Sequence, residues 1–291
     1  MDIVTVFERF PTQESCIAYL EAVRWTDGPR CPYCTSTNTA TLQHRHRCYE
    51  CRTSFSVTVG TIFHHTHLPL QKWFLAISLM LNARKSLSAL QLSRDIKVNK
   101  NTAWRIAMQI RKAMTQAEHR NLLMGLIEMD ETYIGGKPRK GSGGDPPKRG
   151  RGTDKTPVVG AMERGGRVTA KVSHKSKLKG SHLRAFVHNR IKAEDSALIT
   201  DQYTAYQGMH RILPHAVINH SKWYVDGEIH TNSIEGFWAL LKRGMFGQFH
   251  SVSRKHLQRY VDEFCYRFNL REEHADVAFH QTINRGLGVE I

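Results

Sequence analysis

The spacing of apolar residues predicts a helical block in the first half of the chain. Between residues 68 and 120, apolar side chains recur every three or four positions and so share one helical face: Leu70, Trp73, Phe74, Ile77, Met80 and Leu81. Two further helices are expected at residues 88–95 and 101–117, joined by a short polar turn. A shorter helical segment is expected before the breaker Asp27-Gly28-Pro29.

The pattern changes to short apolar runs after residue 120. Four of these runs are typical of strands: 125–134, 158–162, 168–172 and 197–200. A helix is expected at residues 180–192, and the tail from Ser233 onward has a mostly helical pattern. Strands and helices in this order predict an α/β domain over the C-terminal part of the chain.

The charge balance indicates a polyanionic partner. The 291 residues include 42 Lys and Arg against 26 Asp and Glu, which gives a net charge of +16. Nucleic acid is the usual partner of so basic a protein, although composition by itself leaves an anionic membrane surface open. The apolar runs are too short to cross a bilayer, and the first residues do not resemble a secretory signal. We therefore expect a cytoplasmic protein with no membrane partner.

Four of the six cysteines are spaced as metal ligands. Cys31 and Cys34 form one C-x2-C pair, and Cys48 and Cys51 form a second pair after a gap of thirteen residues. Two such pairs can bring four thiolates to one structural Zn²⁺, which leaves no open coordination position for catalysis. The alternative is a set of ordinary buried thiols.

The other cysteines and two nearby histidines are expected to lie outside this zinc site. Cys16 and Cys265 are distant in sequence and are interpreted as core thiols. His44 and His46 could replace a cysteine as ligands, but we expect them to face solvent or phosphate.

Residues 88–108 resemble a helix-turn-helix. Apolar residues of the first helix and the turn are expected to pack under those of the second helix: Leu90, Leu92, Ile96 and Val98 under Trp104, Ile106 and Met108. The outward face of the second helix then offers side chains suited to phosphates and base edges: Lys100, Asn101, Arg105, Gln109 and Lys112. The alternative is a helical connector with a solvated charged face.

A loop at residues 135–157 is rich in Gly, Pro and basic residues. So long a loop inside a domain is usually functional or disordered. Its basic residues, among them Lys148, Arg149 and Arg151, are predicted to follow DNA phosphates. A solvated, disordered loop is the alternative.

Three acidic residues occupy positions typical of a metal-dependent active site. Asp130 lies within or just past the first strand, Asp201 ends the fourth, and Glu235 begins a helix. Carboxylates at neighbouring strand ends can bind two Mg²⁺ or Mn²⁺ ions, which activate the attacking oxygen and stabilise the leaving oxygen in phosphoryl transfer. Lys242 follows Glu235 by seven residues, two turns along one helix face, and would contact a DNA phosphate.

Each carboxylate also has an alternative structural role. The first strand could end in a solvated acidic turn, since Glu128 and Glu131 flank Asp130 and Glu128 shares its strand face. The aspartate of the fourth strand could be a turn residue. Asn232 and Glu235 match a helix capping box, in which Glu235 would only cap the helix. Glu128 and Glu131 are expected to serve as local controls in mutational tests.

Longer segments around these residues resemble a known family. They are Asp130-Glu-Thr-Tyr-Ile-Gly-Gly, Thr200-Asp-Gln-Tyr, His230-Thr-Asn-Ser-Ile-Glu-Gly-Phe-Trp, Leu240-Leu-Lys-Arg-Gly and Tyr260-Val-Asp-Glu-Phe-Cys-Tyr-Arg-Phe-Asn. Together with the four spaced cysteines, and in this order, they are similar to the bacterial insertion-sequence transposases of the 1595 family. That family pairs an N-terminal zinc ribbon with a DDE catalytic domain.

The resemblance implies an α/β, RNase H-like domain whose sheet carries Asp130 and Asp201 and whose helix brings the third ligand. It implies metal-dependent cleavage of DNA strands by water at transposon ends, followed by attack of the freed 3′-hydroxyl on target DNA. It also implies double-stranded DNA as partner, a homo-oligomer on that DNA, and association with the nucleoid when bound.

The third ligand has two candidates, because members of the family are sometimes described with Asn in this place. This chain has both Asn232 and Glu235. We expect Glu235, because a carboxylate binds metal better than an amide and its spacing to Lys242 fits. Asn232 and His230 are expected to support the site.

Four parts are therefore predicted: an N-terminal helical segment (1–29), a zinc ribbon (30–66), a helix-turn-helix-like region (67–120) and the RNase H-like domain (121–291). Two other functions stay open. A DNA-binding regulator with an inactive RNase H-like domain would not nick DNA with Mg²⁺, and an RNase H-like nuclease would cut without joining.

Overall fold

The computed structural model describes residues 1–115, 122–135, 155–173, 178–218 and 230–288. The chain forms two compact units, one of residues 1–114 with 272–291 and the other of residues 115–271. Within the described ranges, no helix is long and apolar enough to span a membrane. The division into four parts stays a prediction.

The first unit combines helices with a small sheet. Its elements in chain order are α1 (Ile3–Arg9), α2 (Gln13–Arg24), β1 (Thr39–Leu42), β2 (Arg45–Cys48), β3 (Ser54–Phe55), α3 (Leu70–Asn82), α4 (Ala89–Asp95) and α5 (Lys100–Ala113). The three strands form an antiparallel sheet in the order β1-β2-β3. The apolar face predicted for α3 is confirmed, since Leu70, Phe74, Ile77 and Met80 are buried.

The second helix of the helix-turn-helix-like region differs from its predicted bounds. The side-chain Oδ1 of Asn99 accepts a hydrogen bond from the Thr102 amide at 2.8 Å, so α5 begins at Lys100. It ends at Ala113 and not at residue 117. The amide of the next residue, Met114, donates to the carbonyls of Ile110 and Lys112 and so completes the last turn. Helix α5 is therefore shorter than the apolar pattern indicated.

The second unit is built on a five-stranded sheet. Its elements in chain order are β4 (Leu123–Ile134), β5 (Thr156–Glu163), β6 (Val168–Val172), α6 (Gly180–Arg190), β7 (Ile191–Thr200), β8 (His215–Val217), α7 (Asn232–Gly244) and α8 (Arg254–Asn269). Helix α9 (Ala275–Leu287) follows and belongs to the first unit. All four predicted strands are present. No apolar run predicted β8, and β5 includes the last two residues of the predicted basic loop.

The strand order gives the fold class. The strands lie in the order β6-β5-β4-β7-β8. The pairs β4-β5 and β5-β6 are antiparallel, whereas β7 is parallel to β4 and β8 is parallel to β7. In chain order, β4, β5 and β6 are antiparallel neighbours, and β7 and β8 extend the sheet on the other side of β4 as parallel strands. This arrangement is that of an RNase H-like sheet. The predicted α/β, RNase H-like fold class is confirmed.

One glycine brings α7 close to the sheet. A Cβ atom added at Gly160 on β5 would lie 2.5 Å from the Trp238 ring of α7, so only glycine allows this approach. Gly160 pairs directly with Asp130 on β4. Helix α7 is therefore held against the part of the sheet that carries Asp130, while α6 covers the core on the opposite face.

Candidate active site and zinc centre

The four spaced cysteines meet in the first unit. The Sγ atoms of Cys31 and Cys51 lie 3.6 Å apart, those of Cys34 and Cys48 lie 3.5 Å apart, and all four lie within 4.8 Å of one another. Thiolates bound at about 2.3 Å to a tetrahedral zinc are about 3.8 Å from each other. The four thiols therefore fit one zinc ion, and the alternative of scattered buried thiols is wrong.

The two histidines near the zinc site lie outside it. The buried ring of His46 contacts Glu21 Oε1 at 2.9 Å through Nε2 and Thr41 Oγ1 at 3.2 Å through Nδ1. It does not face solvent or phosphate, and the expectation that it would do so is wrong. Glu21 lies on α2, so this histidine ties α2 to the zinc-binding sheet. His44 is half-exposed and lies 3.6 Å from Glu14.

Cys16 and Cys265 are buried, as predicted for core thiols. Burial raises the pKa of Cys16 to about 12, and it also raises the pKa of Cys265. Both thiols therefore stay protonated at neutral pH, which keeps them out of thiolate chemistry.

The predicted packing of the helix-turn-helix is correct in part. Leu92, Ile96, Ile106 and Met108 are buried, but Leu90 and Trp104 are 48% and 42% exposed. Placing these two in the core was wrong. The buried face of α5 runs through Ala103, Ile106, Ala107 and Ile110, and Trp104 is turned away from that face by about 100°.

The predicted DNA-binding face of α5 is accessible. Four of its five side chains are exposed and Gln109 is partly buried; the exposed ones are Lys100, Asn101, Arg105 and Lys112. Lys148, Arg149 and Arg151 of the basic loop lie outside the described residues.

Two of the predicted catalytic carboxylates meet at one edge of the large sheet. Asp130 lies on β4, and Asp201 directly follows β7, which runs parallel to β4 with Glu128 opposite Ile199. Carboxylate oxygens of Asp130, Glu131 and Asp201 lie within 4.8 Å of one another. Glu131 belongs to this cluster, so the expectation that it could be a neutral control is wrong.

Neighbouring groups fix the orientation of the cluster. The Tyr203 amide donates to Asp201 Oδ1 at 3.0 Å, so Asp201 is also a turn residue. The buried Tyr206 hydroxyl donates to Glu131 Oε2 at 3.0 Å. Burial, together with the charge of Glu131, raises the pKa of Tyr206, so this hydroxyl remains a donor.

The cluster concentrates negative charge. The pKa of Asp130 is raised to about 7, first by burial and then by the charges of Glu131, Asp201 and Glu235, against a lowering hydrogen bond from the Glu131 backbone. Crowded carboxylates raise one another's pKa because each disfavours the ionised form of the others. A divalent cation would relieve this repulsion, so the donor set fits a metal such as Mg²⁺ or Mn²⁺.

Glu235 lies exposed on α7 and is not among the carboxylates that lie within 4.8 Å of one another. Its carboxylate Oε1 accepts a hydrogen bond from the Thr231 hydroxyl at 2.9 Å, and its charge acts on Asp130. Thr231 is the residue before the helix, so Asn232 and Glu235 do not form the capping box considered above. A capping box with Asn232 as its first residue is therefore wrong, and Glu235 as a metal ligand stays a prediction.

Lys242 lies on the same exposed face of α7 as Glu235. It lines a cavity of about 580 Å³ together with Asp130, Glu131, Thr132, Tyr133, Lys155 and Phe246. A cation from the helix therefore faces the same space as Asp130 and Glu131 of the sheet. The contact of Lys242 with a DNA phosphate stays a prediction.

A buried carboxylate absent from the predicted site lies between the strand and the helix. Glu128 Oε2 accepts hydrogen bonds from the amides of Ser233 and Ile234 at 2.8 and 3.1 Å. His230, predicted to support the site, reaches the same carboxylate, with Nδ1 3.3 Å from Glu128 Oε1. In the sequence, the only indication of a role for Glu128 was its position on the same strand face as Asp130. Asn232 is exposed at the start of α7.

Family comparison matches both parts of this architecture. The profile of the ISXO2-like transposase domain matches residues 122–269, just over half of the chain. The chain belongs to the IS1595 family of transposases. The transposase zinc-ribbon domain of the same family matches residues 11–54, which include all four zinc-site cysteines. The resemblance inferred from the sequence is confirmed.

One relative covers most of the chain. This IS1595-family transposase is 28% identical over 276 residues to the "uncharacterized protein in transposable element ISH50" of Halobacterium salinarum, with 89% of this chain and 91% of the relative aligned.

Solved structures resemble the chain more distantly. The Mos1 strand transfer complex matches with 11% identity over 73% of this chain and 74% of the other, at a TM-score of 0.31. A simian T-cell lymphotropic virus intasome in complex with the PP2A regulatory subunit B56 gamma matches with 15% identity over 60% of this chain, at a TM-score of 0.30. The chain spans 63% of that intasome chain, which is less than two thirds. Likenesses this weak carry no conclusion about the site.

Proposed function

We propose that this transposase binds transposon ends in double-stranded DNA, cleaves DNA strands with divalent metal and joins the freed 3′-hydroxyl to target DNA. The observation that carries the proposal is the cluster of Asp130, Glu131 and Asp201, with carboxylate oxygens within 4.8 Å of one another. A regulator that only binds DNA has no need for three carboxylates brought so close, because carboxylates that are buried or partly buried are costly to ionise without cations.

Two carboxylates of the cluster and one from α7 would bind the metal ions. Asp130 and Asp201 would hold the two ions, and Glu235 would complete the coordination of one of them. Bound there, Mg²⁺ or Mn²⁺ activates the attacking oxygen and stabilises the leaving oxygen of phosphoryl transfer. The hydrogen bonds from Tyr203 and Tyr206 hold two carboxylates of the cluster in place, so little reorganisation is needed when the ions bind.

The joining reaction separates the proposal from its alternatives. Wild-type protein, a transposon-end duplex and Mg²⁺ should give nicked ends and, with added target DNA, covalently joined products. A regulator would bind the duplex and leave it intact. A nuclease that does not join would nick the ends and give no joined product.

We expect Lys242→Ala to reduce nicking about 10-fold or more, because a charge-assisted contact to a DNA phosphate contributes about 1.5–3 kcal/mol. The measurement is the single-turnover nicking rate at saturating protein. Arg243→Ala is the matched control, because Arg243 is exposed on the same helix and does not line the cavity. Equal losses in the two variants would show that net charge matters and that the position of Lys242 does not.

We propose that the basic loop contributes to DNA affinity without reading sequence. Replacing Lys148, Arg149 and Arg151 with Gln should weaken binding to all duplexes and lower the salt dependence of log K by up to about 3, since each phosphate contact contributes about 0.9. A control with the same loss of charge replaces exposed bases near α6 with Gln: Lys179, Arg184 and Lys192. An unchanged slope in the loop variant would mean that the loop does not contact DNA.

A further inference from the structure

Glu128 is a fully buried carboxylate whose role is set by the helix it contacts. It lies on β4, and none of its side chain is accessible to solvent. Its Oε1 atom accepts from Ser233 Oγ at 2.9 Å and from Arg164 Nε at 3.2 Å, and its Oε2 atom accepts the amides of Ser233 and Ile234. Such a charge is tolerated in the interior only with partners of this kind.

Helix α7 depends on this carboxylate for its cap. Thr231 precedes the helix but makes no side-chain cap, because its hydroxyl donates to Glu235. The amides of Ser233 and Ile234 are in the first turn, where a helix has no partners of its own. Glu128 binds both from a strand 105 residues away in sequence, and its negative charge also suits the positive end of the helix dipole.

We propose that Glu128 is a positioning residue that fixes Glu235 against Asp130, and thereby sets the affinity of the acidic cluster for a divalent ion. Glu128 is connected to both carboxylates through short segments of the chain. Glu128 is two residues from Asp130 on one strand face, and Ser233 is two residues from Glu235 at the start of one helix. The proposal rests on the proposed function, because it concerns the same metal site.

Arg164 and His230 make the geometry specific. Both contact Glu128 Oε1, at 3.2 Å from Arg164 Nε and 3.3 Å from His230 Nδ1, and Arg164 also donates to the His230 carbonyl at 3.3 Å. Gln at position 128 would keep the volume but turn an NH₂ group toward donors. At least one of these hydrogen bonds would then be replaced by a repulsive contact.

The control residue is Glu163, whose hydrogen-bond partners in the described part of the chain are similar and lie outside α7. Its carboxylate binds the amides of Met124 and Arg167 at 3.0 Å each and the Arg167 guanidinium at 2.8 Å. Glu163→Gln therefore makes the same chemical change in the same sheet as Glu128→Gln. The carboxylate that it removes accepts backbone amides of a turn and not those of α7.

The first measurement needs neither metal nor DNA. Amide hydrogen exchange at Ser233 and Ile234 should be about 10-fold or more faster in Glu128→Gln than in wild type, because the charge-assisted bonds are lost. Glu163→Gln should leave these two amides unchanged. Ser233→Ala, which removes only the hydroxyl contact, is the second variant in case Glu128→Gln does not fold, and exchange at Ile234 should rise in it as well. Unchanged exchange in a folded Glu128→Gln or in Ser233→Ala overturns the proposal.

The second measurement tests the link to the metal site with Mn²⁺ alone. Titration followed by electron paramagnetic resonance should show about 10- to 100-fold weaker Mn²⁺ binding in Glu128→Gln, the range found for groups that orient metal ligands. Glu163→Gln should bind Mn²⁺ as wild type does. In a Glu235→Gln background, Glu128→Gln should cause little further loss, because its effect passes through Glu235.

The outcomes separate this proposal from the proposed function. Additive losses in the double variant, or equal losses in Glu128→Gln and Glu163→Gln, overturn the positioning role. A third outcome is that Mn²⁺ binding depends on Glu128 as expected but the wild-type protein does not nick transposon ends. That result would support the positioning role and refute the proposed strand cleavage.

Discussion

Replacing Glu235 with Gln is expected to abolish Mg²⁺-dependent nicking of a transposon-end duplex while DNA binding remains. The substitution removes the carboxylate that we propose completes the coordination of one metal ion. A metal that activates the attacking oxygen and stabilises the leaving oxygen contributes several kcal/mol, so the rate should fall by at least about 10³-fold. Asp130→Asn and Asp201→Asn should have effects of the same size. Rates would be measured in single-turnover reactions beside a binding assay.

The comparison with Asn232→Ala decides the identity of the third ligand. Both residues are exposed on α7, but only Glu235 has a carboxylate, which is a better ligand for Mg²⁺ than an amide. We therefore expect Asn232→Ala to nick slowly but measurably. Normal nicking by Glu235→Gln together with an inactive Asn232→Ala would show that the amide, and not the carboxylate, binds metal.

The choice of control matters as much as the choice of variant. Glu131 lies inside the cluster and Glu128 caps α7, so neither is a neutral site. Glu163→Gln is the suitable control, because Glu163 is an ion-paired carboxylate of the same sheet that lies 2.8 Å from Arg167 and is absent from the cluster. It should nick at nearly the wild-type rate.

Replacing Cys48 with Ser is expected to remove the zinc and unfold the N-terminal region alone. Cys48 Sγ lies 3.5 Å from Cys34 Sγ, so the change breaks a four-thiolate set. Structural zinc contributes about 10–16 kcal/mol of apparent binding free energy in small zinc domains, far more than three short strands supply by packing. Metal analysis should give one zinc per wild-type chain and none in the variant.

Cys16→Ser is the matched control for the zinc experiment. Cys16 is buried outside the four-cysteine cluster, so its variant should keep one zinc per chain even if its free energy of unfolding falls. Hydrogen exchange should locate the unfolding of Cys48→Ser before residue 60 and leave the large sheet protected. Wild-type protein without zinc would refute the assignment of this site.

The sequence was a good guide where neighbours along the chain decide the outcome. The apolar face of α3, the four predicted strands and the two cysteine pairs are all present, because helical period, strand period and ligand spacing are local properties. It was a poor guide at Trp104, where a one-residue shift around the helix separates the buried face from the exposed one. The strand β8 was missed because it has only three residues, too few for a strand pattern to stand out in the sequence.

What the sequence by itself determined is the chemistry available: four thiolates at zinc spacing, and carboxylates at the ends of strands and at the start of a helix. Only the tertiary structure decided which carboxylates meet. The parallel pairing of β4 with β7 brings Asp201 to Asp130, and Tyr206 fixes Glu131 beside them. Glu128, which the sequence indicated as a neutral control site, instead accepts the first amides of α7. These contacts depend on strand order and on which face each helix covers, and residues 75 or 105 positions apart carry no local pattern that records them.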